Sequence, residues 1–162
     1  MDLQDVYNEQ KQLTGISKYR SEFTDNEYSM STFIWIVNSN DELLVQVRSS
    51  SDDNKPNTYG ITGGAVEKGE TSLEASIREL KEELGLDIDK EQLIFIASER
   101  RQRKFFEYYM LKIDIDINNL VLQKEEVEKV EWITMEDYEK NISNALNFQL
   151  FKNIYLNILK NK

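Results

Sequence analysis

Residues 63–86 read GGAVEKGETSLEASIRELKEELGL, and the rest of the chain is best read outward from them. Thr71 and Glu74 have the T-x-x-E spacing of a capping box, and Gly85 stands where a helix is expected to end. The pattern predicts a helix over Ser72–Leu84. Leu73, Ile77, Leu80 and Leu84 recur at helical spacing and form an apolar stripe for a core. Glu79, Glu82 and Glu83 fall at i, i+3 and i+4 on a different face. Like charges this close destabilise a helix by about 0.2–0.5 kcal/mol per pair. A divalent cation among the oxygens relieves that cost. Glu70 precedes the helix and reaches the same region, and Arg78 can hold a carboxylate in a charge-assisted fork. Gly63 and Gly64 let the backbone come close, so that a carbonyl there can add a ligand. Patterning alone leaves a solvated acidic helix and a metal site evenly matched.

The flanks predict a mixed, α/β (α+β) architecture. Thr32–Val37 and Glu42–Arg48 read as strands joined through the turn residues Asn38-Ser39-Asn40-Asp41. Thr58–Gly64 is a short extended piece. Gln92–Ser98, Phe105–Ile113 and Val127–Ile133 read as further strands. From about Asn147 to Leu159, Leu150, Phe151, Ile154, Ile158 and Leu159 have helical spacing and predict a core-facing helix. Ser49–Asn54, with Pro56 after it, reads as a loop. The expected fold is a mixed β-sheet with helices packed on it, in one domain over 1–162.

Composition excludes several chemistries. The chain has no Cys and no His, so disulfides, Cys/His zinc sites, thiol nucleophiles and Ser-His-Asp triads are ruled out. A metal would have oxygen ligands. The net charge is −10, which argues against a polymeric nucleic acid as partner but not against small phosphorylated ligands. Gly64–Asp89 holds eight acids and three bases, half of the whole imbalance. Met1–Gln12 lacks the basic start and apolar run of a signal peptide, and the apolar runs are too short to cross a membrane as helices, so the expected location is the cytoplasm.

Gly64, Glu70 and Arg78-Glu79-Leu80-Lys81-Glu82-Glu83-Leu84-Gly85-Leu86 match the Nudix box, residues 64–86, at every defining position. The chain therefore resembles the Nudix hydrolase (MutT-like) family, and roughly nine-tenths of it fits the family layout. The resemblance implies a mixed β-sheet sandwiched between α-helices. It also implies Mg²⁺-dependent hydrolysis, with Mn²⁺ as a substitute, of a diphosphate in a nucleoside-diphosphate-type small molecule. By position, Glu79 and Glu83 correspond to the principal metal ligands and Glu82 to the third carboxylate, which shares the metal cluster or helps activate water. Arg78 corresponds to the orienting arginine, Glu70 to the supporting acid and Gly63 to a carbonyl ligand. Glu125 or Glu126 resembles the distal loop acid that some members use, and the choice between them is open. Asp5–Gly15 resembles the start of the branch related to isopentenyl-diphosphate isomerase. That branch uses a cysteine for proton transfer and histidines for its metal. This chain has neither, so isomerase activity is excluded.

Substrate contacts are less determined. Arg48 ends a strand and is evenly split between a phosphate contact and a surface residue. Arg100-Arg101-Gln102-Arg103-Lys104 reads first as a charged hairpin turn and second as a phosphate-attracting rim. Tyr28, Phe33, Trp35 and Tyr59 read as core aromatics before base-stacking ones. Tyr59 stands where many relatives have Trp ahead of the two glycines. Two rivals remain beside the hydrolase: a catalytically silent Nudix domain that binds a nucleotide or a protein, and an enzyme of capped or triphosphorylated RNA ends. A homodimer through strand edges or the C-terminal helix is open.

Overall fold

The protein was analysed as a computed structural model, which describes residues 2–50, 57–142 and 148–162. Ser51–Asn54 and Pro56 of the expected loop, and Asn147 of the expected C-terminal helix, lie outside the described residues.

The strands are β1 (Gln4–Tyr7), β2 (Leu13–Lys18), β3 (Ser29–Val37), β4 (Glu42–Arg48), β5 (Tyr59–Gly60), β6 (Thr62–Ala65), β7 (Leu93–Arg101), β8 (Lys104–Lys112) and β9 (Val127–Thr134). The helices are α1 (Ser72–Leu84), α2 (Met135–Asn141) and α3 (Phe148–Ile154), the last running on as a wider π-type turn over Tyr155–Leu159. β1 and β2 form a separate antiparallel pair. The other seven strands form one mixed sheet in which β5-β4-β3-β8-β7 are neighbours, β6 also pairs with β3, and β9 with β4. β3 and β8 run parallel, from Ser29 opposite Lys104 to Val37 opposite Lys112, and the remaining pairs are antiparallel.

The sheet is covered on both sides, because its central strands β3, β4 and β8 are apolar on both faces. On one face Ile34, Ile36, Leu44, Tyr109 and Leu111 pack with Leu80 and Leu84 of α1. On the other, Trp35, Val37, Leu43, Val45 and Met110 pack with Met135 and Tyr138 of α2 and with Phe148, Phe151, Tyr155 and Leu159. The Trp35 and Phe151 rings stack with centroids 4.9 Å apart. The mixed sheet between helices matches the expectation from sequence.

The C-terminal stripe needs correction. Leu150 and Ile158 are exposed, at 43% and 57%, and the buried line is Phe148, Phe151, Tyr155 and Leu159. Tyr155 can be buried because its hydroxyl donates to Asp41 Oδ1 at 2.5 Å, which satisfies the polar tip. Trp35 and Tyr28 are core residues as expected, whereas Tyr59 is 44% exposed.

Candidate active site

α1 has the bounds its sequence predicts. Thr71 accepts from the Glu74 amide at 3.2 Å, and Glu74 accepts from the Thr71 amide at 2.8 Å. At the other end Gly85 adopts φ 68°, and the amides of Gly85 and Leu86 bond back to Lys81 and Leu80. The helix docks through a hydroxyl pair, Thr32 with Ser76 at 2.5 Å, buried between β3 and α1.

This docking brings Glu79 down onto β6. A Cβ on Gly64 would stand 2.2 Å from Glu79 Oε1, so only glycine leaves room for the carboxylate. A Cβ on Gly63 would stand 2.2 Å from the Thr32 carbonyl, so this glycine serves the close approach of β6 to β3.

Arg78 is the counter-ion shared by the acids. Its Nε donates to Glu70 Oε1 at 2.6 Å and its Nη2 to Glu70 Oε2 at 3.0 Å, a two-pronged fork. Nη2 also donates to the Ala65 carbonyl at 2.9 Å, which fixes the arginine against β6. Nη1 donates to Glu79 Oε1 at 2.9 Å and to Glu82 Oε2 at 3.2 Å. Burial pulls the Arg78 pKa down, but its hydrogen bonds to Glu70 and the charges of Glu79 and Glu70 outweigh it and raise the value. Glu70 is in turn held below its ordinary range. Burial pushes it up, and the Arg78 hydrogen bond and the Glu67 amide overcome that push.

Glu79 and Glu83 are the buried pair, at 8% and 3% exposure, while the Glu82 carboxylate is half exposed. Burial pushes Glu79 up to about 7, against the pull of Arg78 and with help from Glu82 and Glu126. Burial also raises Glu83 well above the usual carboxylate range; the Gln46 hydrogen bond opposes it, and Glu79 and Glu126 add to it. Gln46 Nε2 donates to Glu83 Oε2 at 2.9 Å, and Gln46 Oε1 accepts from Thr62 Oγ1 at 3.0 Å. Sequence reading missed Gln46. Its signal is a lone polar residue inside the buried strand ELLVQVR.

Above these groups lies a cleft of about 330 Å³, walled in part by Phe33, Gln46, Arg48, Glu83, Lys104 and Glu126. Gly63 and Gly64 of β6 also line it. Of the two loop acids, Glu126 faces this cleft and Glu125 is not among its walls. The reason is the turn before β9: the amides of Glu126 and Val127 bond to the Gln123 carbonyl, and the Ser49 amide bonds to the Glu126 carbonyl. That loop is tied to α1 because the Val121 and Gln123 amides bond to the Leu84 and Glu83 carbonyls.

The donor set fits a hard divalent cation. The acidic side chains here are all carboxylates, and burial raises the pKa of both Glu79 and Glu83, so that a nearby cation would favour their charged forms. The fit is not a finished cage: among the described residues no three acids stand together as ready ligands. Glu82, expected as a third ligand, points to Arg78 and is half exposed. The structure thus brings Glu79 and Glu83 together with Arg78 and Glu70, and it leaves Glu82 at the rim.

A mixed sheet between helices, with an acidic helix face lowered onto a glycine strand, is an arrangement that can hold a hard cation beside a cleft. The family model for the NUDIX domain matches residues 27–153, and the chain belongs to that family of hydrolases acting on pyrophosphate bonds, which generally depend on a divalent metal. An uncharacterized Nudix hydrolase of Listeria monocytogenes is 33% identical over 141 residues, 86% of this chain and 83% of that protein. The dihydroneopterin triphosphate diphosphatase of Escherichia coli is 35% identical over 65 residues, 40% of this chain and 42% of its own. Among solved structures, DR0079 of Deinococcus radiodurans superposes with a TM-score of 0.74 at 26% identity, covering 88% of this chain and 89% of its own.

Proposed function

We propose that residues 1–162 act as one catalytic domain that hydrolyses a diphosphate linkage in a nucleoside-diphosphate-type small molecule, with Mg²⁺ as cofactor and Mn²⁺ as substitute. The observation that carries this reading is the pair Glu79 and Glu83, buried one turn apart on α1, with Glu83 on the cleft wall and Glu79 behind Gly64, and with Arg78 fixing the first and Gln46 the second. Glu79 and Glu83 would hold the cation, with the Gly63 carbonyl and Glu82 as candidate further ligands. The chemistry such a cation would supply is charge neutralisation at phosphate oxygens and a lowered pKa for the attacking water. Arg78 keeps the Glu79 carboxylate in place, and Glu70 keeps Arg78 in place. Glu126 takes the proton from the attacking water at its carboxylate, since it is the loop acid at the cleft. Arg48, on the same wall, pairs with a phosphate oxygen of the substrate.

The E. coli relative's name carries a pteridine triphosphate, an aromatic group on a phosphoanhydride, which suits a half-buried Phe33 at the cleft. A silent binding domain is the weaker reading, because every carboxylate of the box is present. The test is a Mg²⁺-dependent screen of nucleotide sugars, ADP-ribose, dinucleoside polyphosphates, nucleoside triphosphates and 5′-triphosphate RNA. Turnover of at least one small diphosphate supports the proposal. No turnover of any compound with either metal points to the silent domain.

A further inference from the structure

Four of the five residues from Arg100 to Lys104 are basic, and their side chains divide into two kinds. Arg100 reaches Glu9 at 3.4 Å and lies over the Tyr28 ring, 5.6 Å from its centroid. Arg101 Nε donates to Glu99 at 2.7 Å. Arg103 donates to the Thr24 carbonyl at 2.7 Å and stands 3.7 Å from Asp25. These three arginines brace the β7–β8 turn, where Gln102 has φ 52°, and they fulfil the expectation of a charged hairpin.

Lys104 differs. It is half-buried and lines the cleft that also holds Glu83, Glu126 and Arg48. Among the described residues no carboxylate pairs with it. Its ammonium rests over the Phe106 ring at 5.8 Å, and Phe106 stacks on Phe33, which lines the same cleft. Burial presses its pKa down and Arg20 adds to the pressure. A half-buried cation without an anion costs stability unless something negative meets it. Carboxylates at the cleft would draw in the cation of a metal-bound diphosphate, and that ligand brings its own surplus of negative oxygens.

We infer that Lys104 is a phosphate-binding residue of this cleft, receiving an oxygen of the substrate diphosphate that the metal on Glu79 and Glu83 does not hold. This deepens, and rests on, the hydrolase reading above. A diphosphate suits the site better than a single phosphate, because its two groups give more oxygens to share between a cation and Lys104.

The test is calorimetric titration of the intact protein with inorganic pyrophosphate, and separately with orthophosphate, in Mg²⁺. The expected result is pyrophosphate binding that Lys104→Met weakens by about 10- to 100-fold, the scale of one charge-assisted hydrogen bond. Lys104→Arg should stay within about threefold of the parent, since the charge is kept. Orthophosphate should bind weakly and respond little to either change. Titration with Mg²⁺ alone should be unaltered by Lys104→Met; a parallel loss there would mean a structural role and overturn the proposal. Equal pyrophosphate binding by Lys104→Met and parent would overturn it too, as would no binding by the parent, and neither result touches the hydrolysis screen. Conversely, a failed screen with Lys104-dependent pyrophosphate binding would sink the hydrolase reading and keep the site. With any active substrate, Lys104→Met should raise KM more than it lowers kcat. Circular dichroism of both variants checks that they fold. If Lys104→Met does not, Lys104→Gln takes its place under the same expectations.

Discussion

The carboxylate of Glu79 lies against Gly64 so closely that a single methyl group at that glycine would meet Oε1 at 2.2 Å. Gly64→Ala should therefore displace the end of a side chain and leave the backbone alone. The expected result is a loss of about 10- to 10²-fold in kcat, the scale of misplacing a catalytic group by an ångström, with little change in melting temperature. Gly63→Ala meets the Thr32 carbonyl and Phe33 and should act on folding instead, costing about 1–3 kcal/mol. Thermal unfolding beside steady-state rates separates the two, and equal melting points for both variants would contradict this division.

Glu79→Gln and Glu83→Gln remove the charges on which a cation would rest, while keeping size and hydrogen-bonding capacity. Each should lower kcat by at least ~10²-fold with the fold intact. Near-normal turnover in both variants would remove the case for this site.

Arg78→Lys keeps a positive charge and loses the fork to Glu70. The guanidinium holds Glu79 and does not line the cleft, so the variant should lose about tenfold in kcat while KM moves little. A change mainly in KM would place Arg78 in substrate binding.

Chelator-treated protein should show a pH-dependent stability that comes from the two buried carboxyls. In the folded state Glu79 titrates at about 7 and Glu83 well above the ordinary 4.5 that holds for the unfolded chain. Between those values the folded state holds more protons than the unfolded one, so this contribution falls as the pH rises and levels off once both groups are ionised. Denaturant titrations from pH 5 to 8 should give a shallower dependence for Glu83→Gln than for the parent. Added Mg²⁺ should raise the melting temperature more at pH 8 than at pH 6. A Mg²⁺ effect independent of pH would argue against cation binding at these carboxyls.

The parts of the fold that are written locally were legible in the sequence. α1 runs over Ser72–Leu84 because its cap, its terminator and its stripe lie within the segment itself. β4 begins and ends as read because turn residues bound it. The hairpin β1–β2 was not read as strands: β2 is largely exposed and lacks a clear alternation, and what holds the pair is distant, through the Gly69 amide on Asp5 and the Lys68 amide on the Leu3 carbonyl. The C-terminal stripe was misread because Phe148 and Tyr155 displace Leu150 and Ile158 from the core. In the site, the box acids were legible from spacing. The choice of Glu126 over Glu125, the support of Glu83 by Gln46 and the isolation of Lys104 from carboxylates depend on contacts between segments far apart in sequence.

The parallel pairing of β3 with β8 bears on how the enzyme comes into being. Its two strands are separated by everything from Asn38 to Arg103, and a parallel pair needs such a crossover before it can close. The helix that carries the carboxylates can form early, from local signals, but the cleft has no far wall until Lys104 has arrived beside Ser29. Catalytic competence should thus emerge as a late event in refolding, lagging behind helix content and keeping pace with sheet closure. A nascent chain that stops short of β8 would own Glu79 and Glu83 without owning a place to use them.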